Sequence, residues 1–343
     1  MFARNISKRD REKETKPYKI KWLYQCFGVS KQAYYKRIKI SNQKELQTTM
    51  IKEMIKPIRN LMPKCGGNKL YLNIKYDFKK QDIKMGRDNF FKLLRENHLL
   101  VKKTKRYHIT TDSKHFFYKS PNLVRDLDIT HSEQVFVNDI TYIKLQSEHA
   151  YLALTTDAYS KKIMGWNIDT NMKVELVKGA LKMALKNRTY NHENIIYHSD
   201  RGIQYCCPDF SEFAQKKGMI LSTTQKSDPY ENAVAERING ILKYEFGLIN
   251  TIPNLEVATK MVKQAVKIYN NERIHYSLEM NTPGFAHINQ THKYKSYKKN
   301  YNEKNNIHLN HQVKTEPSSA GEQLVRDTLD ERQKCKISGL SIA

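Results

Sequence analysis

The chain has 343 residues, an apolar content of 39% and a formal net charge of +25 at pH 7. Its apolar content can support a buried core, and its length allows roughly two or three domains. It contains no run of about 18 apolar residues, and its basic N-terminus lacks the apolar stretch of a secretion signal. We therefore expect a cytoplasmic protein with no membrane-bound part.

The cysteine content indicates neither a disulfide framework nor a structural zinc site. The five cysteines are odd in number, and only Cys206 and Cys207 lie near each other. They are adjacent, whereas zinc sites and redox pairs commonly use a CxxC spacing.

The positive charge is concentrated in the first third of the chain. Residues 1–130 contain 32 Lys and Arg against 12 Asp and Glu, whereas residues 131–290 contain 18 against 17. This distribution predicts a phosphate-binding segment joined to a nearly neutral domain that has a different task.

The basic part divides into three predicted regions. Residues 1–43 form a basic helical segment with a helix, turn, helix pattern around Gly28. Residues 44–101 form a helical domain of DNA-binding type, with helices at 44–62 and 88–100 around a Gly-Gly loop and a basic amphipathic segment. The charged and unpatterned residues 102–130 are predicted to be a linker.

Residues 131–290 have the pattern of an α/β domain. Three successive strands are followed by alternating helices and strands, which predicts a mixed sheet with helices on both faces. Strands are expected at 134–145, 149–156, 161–169, 194–198 and 219–223, and helices at 174–186, 208–217, 230–247 and 254–274. Residues 291–343 have no sustained pattern, and we expect little order there.

Asp139 lies in the middle of the first strand of this domain, among apolar neighbours. An ionised carboxylate in such a place costs several kcal/mol unless a cation compensates it, and aspartate is a poor strand residue. For this residue taken alone, a functional and a structural role are both open.

Asp200 ends the apolar run of the motif NIIYHSDRGIQY and precedes an Arg-Gly turn. An aspartate at the end of a strand commonly accepts a hydrogen bond from the turn backbone. A turn role is therefore the plain interpretation of Asp200 taken alone.

The segment ENAVAERINGILKYEFG is predicted to be an amphipathic helix. Its apolar residues form one stripe, whereas Glu236, Gly240 and Lys243 lie together on the opposite side. Such a side is usually solvated, but here a glycine between two charged residues leaves room for another backbone to approach.

The three acidic residues occur in ordered motifs with a distinctive spacing. Asp139 and Asp200 are 61 positions apart, and 35 residues lie between Asp200 and Glu236. The motifs NDITYI, HSDRGIQY and ENAVAERINGILKYE surround them, YLALTTDAYSKKIMGW follows the first, and YNNERIHYSLEMNTP closes the domain. With GVSKQAYYKR and GGNKLYLNI upstream, the chain from residue 23 to 288 resembles insertion-sequence transposases of the OrfB kind, of insertion sequence family three.

This resemblance implies a ribonuclease H-like fold, similar to the retroviral integrase core. The expected architecture is a mixed five-stranded sheet flanked by helices, preceded by a small basic helical region. The implied activity is that of a DDE polynucleotidyl transferase, which cleaves DNA at the element ends and joins the 3′-hydroxyl to target DNA. The implied catalytic and metal-binding residues are Asp139, Asp200 and Glu236, which would bind Mg²⁺ or Mn²⁺ as two ions.

The resemblance also suggests residues around this triad. Lys243 would grip DNA beside the scissile phosphate, with a solvated lysine as the alternative, and Arg201 with Gly202 would form the turn that presents Asp200. The expected DNA-binding residues are Lys243, Arg201, Arg237 and Arg273, and the expected supporting residues are His198, Asn232, Gly240 and His275. His198 orients the site or packs, Asn232 caps or supports the helix of Glu236, and Arg273 and His275 are structural or face DNA.

The implied partners are the terminal repeats of the element, target DNA, and an upstream helix-turn-helix protein of OrfA type, separate or fused. A homo-oligomer is expected in the active complex, because two sites act on two ends, and the protein would be nucleoid-associated when bound to DNA. Two alternatives remain: a metal-dependent nuclease that stops after hydrolysis, and a non-catalytic DNA-binding protein from a decayed element that acts as a repressor.

Overall fold

The computed structural model describes residues 20–101, 116–225 and 232–294. The predictions made for residues 1–19, for residues 102–115 of the linker and for the tail from residue 295 lie outside these ranges. Within the described ranges, no helix is long and apolar enough to cross a membrane.

The N-terminal part is helical, with a first pair of helices joined by a tight turn. Helix α1 (Ile20–Cys26) is followed by Gly28, whose φ of 62° lies in the left-handed region that favours glycine. Helix α2 (Lys31–Leu61) begins at Ser30, whose Oγ accepts a hydrogen bond from the amide of Ala33 at 3.1 Å. The predicted helix, turn, helix is thus confirmed.

Helix α2 is longer than the sequence predicts. It runs without a break across residue 43, where the basic segment and the helical domain were expected to meet. The polar residues around Asn42 include no glycine or proline, so local chemistry does not end the helix there. The division at residue 43 is therefore not marked by any interruption in α2.

Two further helices pack on the second half of α2. They are α3 (Gly67–Lys80), which contains the predicted amphipathic segment, and α4 (Arg87–Glu96). Their shared core consists of Ile51, Ile55, Leu70, Ile74, Phe78, Ile83, Phe90, Leu93 and Leu94. This core gives the helical part an apolar centre separate from that of the sheet.

The second part is built on the expected mixed five-stranded sheet. Its strands are β1 (Val135–Lys144), β2 (His149–Asp157), β3 (Ile163–Asp169), β4 (Ile195–Ser199) and β5 (Met219–Thr223). The order in the sheet is β3-β2-β1-β4-β5. The β1–β2 and β2–β3 pairs are antiparallel, and the β1–β4 and β4–β5 pairs are parallel.

Helices cover both faces of this sheet. They are α5 (Val174–Lys186), α6 (Ile203–Cys206), α7 (Pro208–Lys216), α8 (Ala233–Glu245), α9 (Leu255–Asn271) and α10 (Pro283–Asn289). Residues of α5 and α7 share a core with Phe136, whereas α8 and α9 pack on β1 and β3. Helix α5 approaches β3 so closely that a Cβ on Gly165 would lie 2.1 Å from the carbonyl oxygen of Ala180.

Part of the predicted linker is fixed against the edge of the sheet. Residues 116–130 contain neither helix nor strand. The carbonyl of Ser120 accepts a hydrogen bond from Thr223 Oγ1 at 2.6 Å, and the amide of Leu123 donates to Ser222 Oγ at 2.9 Å. This segment therefore runs beside the end of β5.

A buried polar cluster joins α10 to the start of β1. His287 Nε2 lies 3.2 Å from Glu133 Oε1, and its Nδ1 lies 3.0 Å from Ser160 Oγ and 3.5 Å from Asp157 Oδ2. Arg188 Nε adds an ion pair to Glu133 at 3.2 Å. His287, Glu133 and Asp157 are fully buried, so this network is a structural element of the core.

We expect this cluster to make stability depend on pH. Burial opposes protonation of His287, but hydrogen bonds to Asp157 and Glu133 outweigh it and raise the pKa of this histidine. A raised folded-state pKa adds stability that is complete below the unfolded value of about 6.5 and is lost as pH rises through the folded value. Replacing His287 by glutamine should therefore cost on the order of 2 kcal/mol in the free energy of unfolding at pH 6 and clearly less at pH 9.

Urea unfolding of both proteins at the two pH values measures this difference. Burial raises the pKa of Glu133, but hydrogen bonds from His287 and the Thr189 amide outweigh it and lower this pKa, so Glu133 stays ionised at pH 6. Lys162 and Arg188 are basic residues that face the cluster. An equal loss at pH 6 and pH 9 would contradict the assignment of a protonated His287.

Candidate active site

Two of the three predicted acidic residues lie next to each other on the central parallel strands. The β1–β4 register pairs Asn138 with Ser199, which places Asp139 and Asp200 at the next position along the two strands. Asp200 directly follows β4, at the carboxyl edge of the sheet. The edge where the carboxyl ends of parallel strands meet is a common position for sites in α/β folds.

Asp200 is held by the turn that follows it. Its Oδ1 accepts a hydrogen bond from the amide of Gly202 at 3.0 Å. A Cβ on Gly202 would lie 3.1 Å from that same oxygen, so a larger residue would crowd the carboxylate. The next residue, Arg201, donates from Nε to the carbonyl of Thr224 at 2.6 Å, which fixes the turn against the end of β5.

Asp139 faces helix α8. Its Oδ2 accepts a hydrogen bond at 2.7 Å from Nδ2 of the buried Asn239. Burial raises the pKa of Asp139 to about 7, the charges of Asp200 and Glu236 add to the rise, and the Asn239 hydrogen bond opposes it. Three carboxylates thus share one electrostatic environment.

Glu236 lies in the first turn of α8 and is exposed. Partial burial of its carboxyl group raises its pKa, and the negative charge of Asp200 raises it further. Within the described residues, however, no three Asp, Glu, His or Cys side chains stand close enough together to hold one metal ion. The three acidic residues are therefore neighbours in an open arrangement, without the tight convergence that the resemblance implies.

Lys243 lies between Asp139 and an aromatic ring. Its Nζ is 4.0 Å from the centroid of the Tyr142 ring, a cation–π distance. Burial lowers the pKa of Lys243, and the negative charge of Asp139 acts in the opposite direction. The lysine is thus partly buried beside the acidic residues, which argues against the alternative of a freely solvated side chain.

Asn232 joins the beginning of α8 to β1. Its Nδ2 donates to the carbonyl of Asn138 at 3.1 Å, and its side chain makes no hydrogen bond that caps the helix. The capping alternative is thus wrong, because the amide group is turned toward the strand. Asn138 Nδ2 in turn donates to the carbonyl of His198 at 3.0 Å, so these amides connect α8, β1 and β4 just before the acidic pair.

His198 and Gly240 occupy different surroundings. The ring of His198 is buried, with Nδ1 2.9 Å from Ser222 Oγ, so it connects β4 to β5. This contact favours the packing interpretation. A Cβ built on Gly240 would meet no atom within 4 Å, so the surface of α8 is open there.

Arg273 is buried and engaged inside the protein, so the prediction that it contacts DNA is wrong. Its Nε and Nη2 each donate to a carboxylate oxygen of Glu245 at 2.8 Å, and its Nη1 lies 2.7 Å from His275 Nε2. Burial lowers the pKa of His275 to about 2, and the charge of Arg273 lowers it too, so the ring is a neutral acceptor. These contacts favour a structural role for both Arg273 and His275.

The pair of Arg273 and Glu245 also connects the two parts of the chain. Lys69 of α3 lies 3.6 Å from Glu245 Oε1, and the amide of Lys64 donates to the carbonyl of Glu245 at 3.2 Å. Nearby, Asn68 Nδ2 donates to the hydroxyl of Tyr276 at 2.6 Å. Glu245 therefore anchors the helical part at the end of α8, the helix that carries Glu236.

The roles of Asn239 and Glu245 were not predicted from the sequence. Asn239 is three residues after Glu236, one turn along the helix, and an asparagine inside a helix is unfavourable unless its side chain has a partner. The unfavourable position of Asn239 inside the helix was the signal in the sequence that could have indicated its role. Nothing local distinguishes Glu245, because its role depends on a contact with a residue 28 positions away.

A mixed sheet of this order, with one acidic residue on β1, one directly after β4 and one on the helix after β5, defines a class of protein. That class is the polynucleotidyl transferases with a ribonuclease H-like fold. Residues 129–229 and 217–283 match two family models, each described as an integrase core domain.

Similar proteins come from mobile elements. The chain is 30% identical over 259 residues to the IS600 uncharacterized 31 kDa protein of Shigella sonnei, an alignment that covers 75% of this chain and 94% of that protein. It is 30% identical to the transposase of IS904 from Lactococcus lactis, over 48% of this chain and 65% of that protein. It is 31% identical to the transposase InsF of IS3A from Escherichia coli, over 44% and 53% of the two chains.

Among solved structures, the catalytic core domain of HTLV-2 integrase in complex with magnesium is similar, with a TM-score of 0.38 and 18% identity. That match covers 46% of this chain and 97% of the integrase chain. By its sequence relatives and its integrase core domain, this chain belongs to the insertion-sequence transposases of the DDE type.

Proposed function

We propose that Asp139, Asp200 and Glu236 are the catalytic residues with which this transposase cleaves the ends of its element and joins them to target DNA. The observation that carries the proposal is the placement of Asp139 and Asp200 side by side, where the end of β4 lies against the middle of β1. Their shared electrostatic environment with Glu236 supports it, since the mutual repulsion of three carboxylates is relieved by cations.

The types of donor suit a hard divalent cation, and the three carboxylates would have to move closer together to share one ion. Carboxylate oxygens are the ligands that Mg²⁺ and Mn²⁺ prefer, and one oxygen of Asp139 is oriented by Asn239. We assign Asp139, Asp200 and Glu236 as the groups that would hold Mg²⁺, and we infer two ions. When bound, such ions neutralise charge on the phosphate and on the attacking and leaving oxygens of an in-line displacement.

The reaction consists of two displacements at phosphorus. In the first, the oxygen of water bonds to the phosphorus at the element end, the bond from phosphorus to the 3′-oxygen breaks, and a 3′-hydroxyl is released. In the second, the oxygen of that 3′-hydroxyl bonds to a target phosphorus and its proton passes to solvent. The bond from this phosphorus to the target 3′-oxygen breaks, and that oxygen takes a proton from solvent. No covalent enzyme intermediate is needed, so no nucleophilic side chain is required.

The chain's own residues bind and orient the DNA. Lys243, supported by the Tyr142 ring, is placed to bind a phosphate beside the acidic residues. The exposed Arg237 follows Glu236 on the same helix, so it can contact the adjoining backbone. Open space at Gly240 lets a DNA strand lie close to α8 between these positions.

The partners follow from this chemistry. We propose the terminal repeats of the element and a target duplex as DNA partners, and a homo-oligomer that brings two active sites to two ends. We further propose that an upstream helix-turn-helix protein, separate or fused, supplies recognition of the ends. These partners fit a chain whose first 130 residues are strongly basic.

The test of this function is product analysis on a supercoiled plasmid that carries the element's terminal repeats, with purified full-length protein and Mg²⁺ or Mn²⁺. We expect nicked ends followed by strand-joined products. Nicked products without joined ones would replace the proposal with the nuclease alternative. DNA binding without either product, with the upstream protein present, would replace it with the repressor alternative.

A further inference from the structure

Two aromatic side chains are exposed at the start of the segment that precedes the sheet. Phe116 is 91% exposed and Tyr118 is 79% exposed, more than any other large apolar side chains in the described residues. The Phe116 and Phe117 rings lie 4.5 Å apart between centroids. Single exposed apolar residues are ordinary, but two nearly bare rings two positions apart on one short segment indicate a surface that takes a ligand.

These rings are anchored beside the carboxyl edge of the sheet. Tyr118 is two residues before Ser120, which is bonded to Thr223 at the end of β5, so the two Cα atoms of Tyr118 and Ser120 lie within about 7 Å. Thr223 pairs with Ser199, the residue before Asp200. The aromatic segment therefore lies at the same edge as the acidic residues.

The basic residue of this segment, Lys119, acts electrostatically on a group that Asp200 also influences. Burial raises the pKa of the Cys206 thiol to about 11, the charge of Asp200 raises it further, and the charge of Lys119 lowers it. Lys119 and Asp200 thus act on the same group in α6. A cation next to exposed rings suits a ligand that carries both an anionic backbone and flat apolar faces.

We propose that Phe116 and Tyr118 form a stacking platform for unpaired nucleobases of the DNA end held at the acidic residues, with Lys119 next to the adjoining phosphate. Aromatic rings beside a basic groove are the usual means of binding single strands, because every base has a flat face that can stack. This inference rests on the proposed function, since it places the DNA end at Asp139 and Asp200.

A platform of this kind would hold the end open. Fraying two terminal base pairs costs a few kcal/mol of unstacking, which stacking on protein rings can offset. The scissile phosphate would then lie between a paired region and bases bound by the aromatic segment. This arrangement separates the strand to be cut from its complement without requiring any base to be read by hydrogen bonds.

The experiment measures the affinity of the full-length protein for two DNA ends by competition anisotropy. Both ends carry two unpaired nucleotides beside the cleavage position; in one, these nucleotides are abasic, so the phosphates remain and the bases are absent. We expect wild type to bind the end with bases about tenfold more tightly. In the Phe116→Ala/Tyr118→Ala variant, the ratio of the affinity for the end with bases to the affinity for the abasic end should fall close to one.

Two further variants make the result specific. Phe116→Leu/Tyr118→Leu keeps apolar side chains but removes the flat rings, and it should lose the ratio as the alanine variant does. Phe285→Ala removes an exposed ring of α10 and should keep the wild-type ratio. Helix α10 lies near the beginning of β1, the opposite edge of the sheet, because His287 of this helix contacts Glu133. Thermal melting of each variant checks that the fold is intact.

A wild-type ratio near one, or an unchanged ratio in the alanine variant, would overturn the platform. If these rings bound a protein partner instead of DNA bases, the ratio would be unchanged in the alanine variant. Because this is a binding measurement, it is separable from the reaction. Strand joining with a ratio near one removes only the platform, whereas a ratio near ten without joining removes only the proposed reaction.

Discussion

Replacement of Asp200 by asparagine is expected to lower strand joining by about a thousandfold or more, while DNA binding stays within about twofold of wild type. The change removes a negative charge and keeps the shape of the side chain. The amide oxygen can still accept the hydrogen bond from the Gly202 amide, so the turn should persist. The loss would therefore be chemical, and gel analysis of joined products with a parallel binding titration measures it.

A matched control is the Asp209→Asn variant. Asp209 follows Asp200 by nine positions and pairs with Lys178 at 2.7 Å, away from the acidic residues. It should retain wild-type joining. Asp139→Asn should fail as Asp200→Asn does. Near wild-type joining by either of these two variants would remove the assigned residue from the catalytic set.

Replacement of Arg273 by methionine is expected to lower the free energy of unfolding by about 3 kcal/mol, which corresponds to a fall of roughly 10 °C in Tm. Arg273 is 1% exposed and bonded through two nitrogens to Glu245, so its loss leaves a partly buried carboxylate without its main partner. Lys69 remains 3.6 Å from that carboxylate and compensates part of the charge.

Two variants separate this structural role from a role in DNA binding. Arg237→Gln changes an exposed arginine, and it should alter stability by less than about 0.5 kcal/mol while weakening DNA binding. Adding Glu245→Met to Arg273→Met removes the uncompensated charge and should recover part of the lost Tm. Unchanged melting of Arg273→Met, together with weaker DNA binding, would contradict the buried ion pair.

The sheet could be predicted almost completely from the sequence. Each strand alternates or forms a short apolar run, and the turns between them are short, so local patterns define both the elements and their direction. The parallel pairing of β1 with β4 then follows from the resemblance, and it brings Asp139 and Asp200 together.

Helix α2 could not be divided correctly from local signals. The change of composition near residue 43 resembles a boundary, but the helix continues because nothing in the polar stretch disfavours it. The second half of the predicted linker is likewise fixed by side-chain contacts of Ser120 and Leu123 with β5, which no periodicity can indicate.

The site residues differ in how visible they were in the sequence. Asp139 was singled out because an ionised carboxylate is costly in the middle of a strand, whereas Asp200 and Glu236 were assigned through the spacing of their motifs and the resemblance. Arg273 was expected to face DNA or to be structural because of the resemblance, and its partner is a glutamate 28 residues earlier. The contact of Asn239 with Asp139 could not be predicted for the same reason. A helical position shows which face a residue occupies, but it does not show which group the side chain contacts.

The most direct measurement supplies a pre-cleaved element end with its 3′-hydroxyl, a target plasmid, Mn²⁺ and the full-length protein. We expect joined product with the 3′-hydroxyl end, none with the same end carrying a 3′-deoxy terminus, and none with the Asp200→Asn variant. Joining of the 3′-deoxy end, or equal joining by the variant, would contradict strand transfer at these carboxylates.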